Sequence, residues 1–308
     1  MKRSLSVAAF AALLVVAACS DNSTTATSAA AVTTTAAPAT TEAPPTDSVS
    51  AEPAKAIISL SPTATETLFA IGAADQVIAV DDQSNYPAEA TAKPHDLSGF
   101  EPNVEAIAAL KPDLVVLQDA TIQPQLEGLG INVYVGPAAT TFDDVYAQIS
   151  QLGAATGHEA DANKLIAQMK SAIEANVLAA QKLIGTTVYH ELDPTFYSVT
   201  SNTFIGKVYE IFGLTNIADG VEPGNDYPQL NAEYIVQQNP SLIFLADTKC
   251  CAQNASEVAA RPGWDAIAAV KNGSVIELDD DVASRWGPRI VDLIAVVSDA
   301  IVKVKAGA

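Results

Sequence analysis

Pro102-Asn103-Val104-Glu105-Ala106-Ile107, running on to Lys111-Pro112-Asp113-Leu114-Val115-Val116-Leu117, returns later as Leu230-Asn231-Ala232-Glu233-Tyr234-Ile235 and Asn239-Pro240-Ser241-Leu242-Ile243-Phe244-Leu245. Asn, Glu, Ile, Pro and Leu recur at one constant offset. Each copy reads as a short helix opened by Asn, closed before Pro and followed by a buried apolar strand. A solenoid needs three or more units, so two copies indicate two lobes of one design. Two facing lobes make a cleft, the usual place for a small ligand.

Around the first copy, strands are expected at 56–60, 77–80, 114–117 and 132–135, with helices at 63–71, 103–110 and 121–129. Alternation of continuous apolar strands with helices implies a parallel sheet covered on both faces. Around the second copy, strands are expected at 186–190, 242–245 and 274–278, with helices at 203–212, 231–238, 265–269 and 288–303. Helices ending at Gly72 and Gly213 each lead into a further strand. Between the two series, a helical stretch from Thr141 to Leu183 breaks near Gly153–Gly157. Leu165, Ile166, Met169, Ile173, Val177 and Leu178 give its second part an amphipathic spacing. At 1.5 Å per residue, 159–183 would extend roughly 37 Å, enough to bridge two domains. The expected fold is therefore α/β, two Rossmann-like lobes with mainly parallel sheets bridged by one long helix. The division is 55–140 for the first lobe, 141–184 for the link and 185–308 for the second lobe.

Upstream, Lys2 and Arg3 precede an apolar run from Val7 to Ala18, and Cys19 follows directly. This has the form of a signal peptide, residues 1–19, and Val16-Ala17-Ala18-Cys19 resembles a bacterial lipobox in which Cys19 is lipidated. Residues 20–54 are rich in Thr, Ala, Ser and Pro, too polar to repay ordering, and are expected to form a disordered tether. The expected location is extracytoplasmic, on the outer face of the cytoplasmic membrane, held by the lipid alone. Of 16 basic residues, removal of Lys2 and Arg3 leaves 14 against 36 acids, about −22. Such a chain is repelled by nucleic acid and by anionic lipid headgroups. Beyond Cys19 the only cysteines are Cys250 and Cys251. They form either a vicinal disulfide or two thiols, since neighbouring Cα atoms lie closer than a disulfide prefers.

Arg285-Trp286-Gly287-Pro288-Arg289 sets two cations and an indole together in a base-poor chain. Arg can grip carboxylate or catecholate oxygens and Trp can stack on a flat chelate, so Arg285 and Trp286 are candidate ligand contacts. Arg289 has the alternative of an ion pair at the start of the last helix. The three histidines, His95, His158 and His190, show no metal-ligand spacing, and no metal site is expected. A haem ligand at His190 or Tyr197 is a minor alternative. No catalytic residues are assigned: the chain lacks a Gly-x-Ser-x-Gly elbow, a Walker loop and a complete dinucleotide fingerprint. An extracytoplasmic enzyme and a protein-binding surface lipoprotein remain lesser alternatives.

Ile57-Ile58-Ser59-Leu60-Ser61-Pro62-Thr63-Ala64-Thr65-Glu66, Asn85-Tyr86-Pro87, the Asn103–Val115 segment, Asn202-Thr203-Phe204-Ile205, Gly213-Leu214-Thr215-Asn216-Ile217 and Gly287-Pro288-Arg289-Ile290 together resemble the ABC-transporter substrate-binding proteins of the ferric-siderophore and vitamin B12 (cobalamin) family. The resemblance covers nearly all of 56–301 and implies class III architecture, two α/β lobes on one backbone helix. It implies a monomeric receptor, without an intrinsic cofactor, that delivers a metal chelate to an ABC permease. Glu105 and Glu233 match the acids that dock onto permease arginines in this family; both would also suit a helix N-terminus for local reasons. Gln83, Tyr86 and Phe100 match cleft loops of the first lobe, and Phe196 and Tyr197 a loop of the second, although each aromatic could instead close its own core. Gln83, Gly99 and Val282 fall where cobalamin receptors carry aromatics. That departure favours an anionic Fe(III)-siderophore held by Arg, with a corrinoid next and haem or bare metal as alternatives.

Overall fold

The computed structural model describes residues 52–307. The signal segment, Cys19 and all but the last residues of the expected tether lie outside the described residues. The chain runs β1 (Ile57–Leu60), α1 (Pro62–Ala70), β2 (Val77–Val80), α2 (Val104–Ala109), β3 (Leu114–Leu117), α3 (Gln123–Gly128), β4 (Asn132–Val135), α4 (Phe142–Thr156) and α5 (Glu159–Ala180). It continues through β5 (Thr187–Glu191), α6 (Phe204–Glu210), β6 (Thr215–Asn216), α7 (Ala232–Gln238), β7 (Leu242–Leu245), α8 (Ala255–Ala260), α9 (Ala268–Lys271), β8 (Val275–Glu277), α10 (Asp280–Ser284) and α11 (Ile290–Gly307).

The strands form two four-stranded sheets, ordered β2-β1-β3-β4 and β6-β5-β7-β8, and every pairing is parallel. The repeat therefore holds at the level of topology, since β3 and β7 occupy the same place in their sheets. Asn103 and Asn231 open α2 and α7 alike, their side chains accepting from Ala106 N and Tyr234 N. Such caps satisfy an amide that the helix cannot pair internally.

Side-chain alternation divides each sheet into two faces. Ile57, Leu114 and Val116 join a large core that also takes in Val188, Leu242 and Phe244 of the second sheet. Ile58, Leu60, Val115 and Leu117 turn the other way and pack under Ile107 of α2 and Leu126 of α3. Tyr189, Ile243 and Leu245 do the same under Ile235 of α7. The core between the sheets is completed by α4, α5 and α11, which contribute Val145, Ile149, Met169, Leu293, Ile294 and Val297.

Thr141 starts α4 with a capping box to Asp144, and Gly157, at φ 75°, ends it in the left-handed region. The interruption falls at Gly157, and the helix continues through Gly153. A Cβ on Gly153 would meet the Ala162 Cβ at 2.5 Å, so this glycine lets α4 and α5 pack closely. The 22 residues of α5 extend about 33 Å. This helix carries the chain from the first sheet to the second. Lys305 Nζ of α11 donates to the terminal carbonyls Ala180 and Gln181, each at 2.8 Å, a favourable cation at a helix C-terminus. No helix among the described residues is long and apolar enough to cross a membrane.

Two expectations are corrected by the elements observed. Residues 265–269 form a short 3-10 turn, Trp264–Ala266, followed by the separate helix α9. The last helix, expected over 288–303, begins at Ile290 and runs to Gly307. Asp280-Asp281 open the unexpected α10, capped by Asp279, whose side chain accepts from the amides of Asp281 and Val282.

Candidate functional site

A cavity of about 420 Å³, open to solvent, lies at the carboxyl ends of the first lobe's strands. Leu60 ends β1, Asp81 follows β2 and Gln118 follows β3, and all three line it with Gly99 and Phe100. In a parallel sheet this end is where ligands bind. The opposite wall comes from α10 and its sequel: Asp281, Ser284, Arg285 and Trp286. A smaller adjoining space of about 80 Å³ shares the last three and reaches Thr203, Phe204, Ile205 and Tyr227 of the second lobe.

Of the residues expected at the site, Gln83, Phe100, Arg285 and Trp286 line the larger cavity. Phe100 is 84 % exposed, and Trp286 is half-buried, its Nε1 donating to Gln148 Oε1 of α4 at 3.2 Å. Tyr86 lies beneath the Arg289 guanidinium, 4.2 Å from its ring centre. Phe196, at φ 70°, stacks 5.7 Å from Trp264 and lies under Arg261, so it packs into the second lobe's own core. Tyr197 is 40 % exposed, forms an antiparallel bridge with Gln229 and is not among the residues lining either space. Tyr227, 54 % exposed, stands in the cleft without having been singled out in the sequence. Its Gly224-Asn225-Asp226-Tyr227-Pro228 setting carries only loop signals.

Arg285 lines the cavity from within an ion-pair network. Its Nη1 donates to Glu66 Oε1 at 2.7 Å and Asn85 Oδ1 at 2.9 Å, and its Nη2 to Gln83 O at 3.0 Å and Asp281 Oδ1 at 2.9 Å. Arg289 takes the rest of the Glu66 carboxylate, with Nε to Oε2 at 2.9 Å and Nη2 to Oε1 at 2.5 Å. Arg285 therefore reaches the cavity with its four Nη hydrogens already engaged by protein. The network also ties the lobes, because Glu66 belongs to α1 and both arginines follow α10. Gly287 permits that approach: a Cβ there would stand 3.3 Å from Thr63 O. Glu66, which the sequence offers only as part of the family resemblance, is thus a counter-ion shared between the two halves. Its separation by more than 200 positions from its partners left no local signal.

The other charged residues of the wall are acids. Asp81 is buried, which pushes its carboxyl above the usual range, although Gln83 N and Ser84 Oγ donate to it. Asp119 is exposed, and hydrogen bonds from Thr121 lower its pKa. Asp281 is held low by Lys249 and Arg285 despite partial burial. The third described arginine is also committed: Arg261 makes a two-pronged pair with buried Glu191, Nη1 to Oε2 at 2.6 Å and Nη2 to Oε1 at 2.5 Å. Beside that pair, Asp247 is fully buried and neither of its oxygens has a partner among the described residues. Burial, then the Glu191 charge, raises it to about 7.

His190 is fully buried, with Nδ1 2.7 Å from the Tyr209 hydroxyl, and burial lowers it to about 4. It is closed off from any haem in the cleft. His158 precedes α5 and faces Asp161 at 3.8 Å, and His95 is exposed in a loop. Among the described residues no three His, Cys, Asp or Glu side chains gather as a metal site. Cys250 and Cys251 are joined as a vicinal disulfide. Glu105 and Glu233 are both exposed, at the second position of α2 and α7.

Residues 57–282 match the family model described as periplasmic binding protein. An uncharacterized ABC transporter substrate-binding lipoprotein, YvrC of Bacillus subtilis, is 31 % identical over 265 residues, covering 82 % of each chain. A cobalamin-binding protein of Halobacterium salinarum is 30 % identical over 263 residues, covering 82 % of this chain and 70 % of its own. The crystal structure of a possible iron-binding periplasmic solute-binding protein from Staphylococcus epidermidis superposes with a TM-score of 0.70 at 25 % identity, covering 81 % of this chain and 99 % of that one.

Proposed function

The chain belongs to the periplasmic binding protein family, and on that footing we propose that it captures a corrinoid between its lobes and delivers it to an ABC permease. It is an extracytoplasmic substrate-binding protein of the ABC-transporter kind and not an enzyme. The corrinoid is preferred to the anionic Fe(III)-siderophore first expected, and the engagement of Arg285 carries that preference. An anionic chelate would have to draw this guanidinium away from Glu66 and Asp281 while facing Asp81 and Asp119. Glu66 would then keep only Arg289 of its two cations, and stripping a buried carboxylate of one partner is costly. A neutral or cationic chelate meets no such conflict, and Phe100, Trp286 and Tyr227 offer flat apolar faces to a macrocycle. The Halobacterium relative, named for cobalamin, points the same way.

Delivery requires two marks that a permease can read. Glu105 and Glu233 supply them, each exposed on a helix that covers the outer face of its sheet. Lipidation of Cys19, followed by the Thr-rich tether, would keep a monomeric receptor near its permease. The siderophore is the second reading, because the Staphylococcus relative is described as a possible iron-binding protein.

Competition decides between the two chelates. Equimolar cyanocobalamin and a ferric tricatecholate are offered to the purified protein, and the bound fraction is identified by mass spectrometry. Recovery of the corrinoid is expected; recovery of the ferric tricatecholate alone would reverse the assignment.

A further inference from the structure

The vicinal pair Cys250–Cys251 sits in a loop that the ligand-capture role leaves unused. This loop, 247–253, leaves the end of β7 and lies against the start of α10. Asp280 Oδ1 accepts from Thr248 N at 2.9 Å and Thr248 Oγ1 at 2.8 Å, while Oδ2 accepts from Lys249 N at 3.0 Å and Cys250 N at 2.9 Å. Lys249 Nζ lies 2.8 Å from both Asp279 Oδ2 and Asp281 Oδ2. Within five residues of these anchors, α10 delivers Ser284, Arg285 and Trp286 to the cavity wall. The loop is thus fastened to the element that builds one side of the binding site.

Two independent features mark the pair as poised to open. Its Cα atoms are 3.8 Å apart, the fixed spacing of neighbours, below the range in which disulfides are relaxed and resistant to reduction. Ala252, directly after it, is held at φ 55°, a left-handed conformation that a non-glycine residue adopts only under constraint. Cys251 N and Gln253 N both donate to Asp247 O at 3.3 Å and close the turn around it. Cys250 is exposed, so a reductant can reach its sulfur.

We propose that Cys250–Cys251 is a thiol–disulfide exchange site whose partner is a dithiol, and that opening it loosens α10 and weakens ligand capture. One thiolate of the dithiol attacks Cys250 Sγ, the sulfur–sulfur bond breaks, and Cys251 leaves as a thiolate. The second thiolate then attacks the mixed disulfide, releasing Cys250 and closing the partner's own disulfide. Two electrons pass to the protein, and two protons complete the two thiols. The ring that constrained residues 250–252 is then gone, and Ala252 is free to leave the left-handed region. The Cys250 amide loses its fixed aim at Asp280, so binding must supply order that the oxidised loop provides in advance.

The consequence for affinity rests on the corrinoid reading, whereas the consequence for α10 does not. The full chain is incubated with and without millimolar dithiothreitol, alkylated to count thiols, and followed by amide hydrogen exchange over 279–286. Cyanocobalamin is titrated calorimetrically into both forms and into Cys250→Ser/Cys251→Ser. Two added alkyl groups at 250 and 251, faster exchange in 279–286 and an affinity about tenfold weaker are expected. The double variant should match the reduced form whether or not reductant is present. An intact bond under dithiothreitol, or reduction without faster exchange, overturns the proposal. If cyanocobalamin binds neither form, the corrinoid reading falls and the exchange measurement still decides the redox claim.

Discussion

Glu66 accepts three hydrogen bonds from two arginines while almost wholly withdrawn from solvent. Burying a carboxylate is tolerable only when its charge and lone pairs are answered. Glu66→Gln keeps the shape and removes the charge, stranding Arg285 and Arg289 in a partly buried site. A loss of about 3 kcal/mol is expected in urea unfolding; a change below about 0.5 kcal/mol would show that the network is not what joins the lobes. Asp247 presents the opposite case, a buried acid without a partner. Its folded-state pKa of about 7 exceeds the ordinary 3.8, so between those values the fold holds a proton that the unfolded chain has released. Its cost therefore grows as pH rises from about 4 to about 7 and is complete above that. Asp247→Asn is expected to stabilise the protein by about 1–2 kcal/mol at pH 8 and hardly at all at pH 4. Equal effects at the two values, measured by thermal melts, would contradict the assignment. His190 acts in the reverse sense: lowered from 6.5 to about 4, it costs stability as pH falls through that interval in wild type and variant alike.

Elements with a clear period were legible in the sequence, because burial on a helix stripe or on both strand faces leaves a pattern that local reading detects. The strands β1, β2, β3, β4 and β7 fall where the apolar runs place them. The short helix α10 escaped, since five residues beginning with two acids carry no period, and its start depends on the Asp279 cap and on Lys249 and Thr248 from another segment. Asp281 and Ser284 of the cavity wall were missed for the same reason, and Tyr227 reaches the adjoining space from a loop. Phe196 shows the converse, an aromatic in a cleft-like loop that turns inward to stack on Trp264. The matched helices α2 and α7 carry the prediction at this scale. Glu105→Lys with Glu233→Lys should abolish permease-dependent uptake in cells and leave chelate affinity within about twofold, because neither acid lines the cavity. Normal uptake by the double variant would remove the docking role.

At the scale of the molecule, two parallel sheets of the same strand order share a core through α4, α5 and α11. The chain's charge complements this arrangement. With 36 acids and few bases, it concentrates its described arginines in buried pairs and leaves the cleft without an uncommitted guanidinium. Long-range repulsion then disfavours anions before contact is made, which accords with a neutral or cationic guest. Ser284 offers a direct way to test where that guest sits. It is exposed, it lines both the larger and the smaller space, and its one hydrogen bond, to Asp281 O at 3.4 Å, is long. An indole in its place would obstruct both spaces without entering the core. Calorimetric titration of cyanocobalamin into the wild-type protein and into Ser284→Trp, with matched thermal melts, is therefore the decisive measurement. Saturable one-to-one binding that weakens about 100-fold or more in a variant of unchanged melting temperature is the predicted result. Absence of binding to the wild type, or equal affinity in the filled variant, would contradict capture between the lobes.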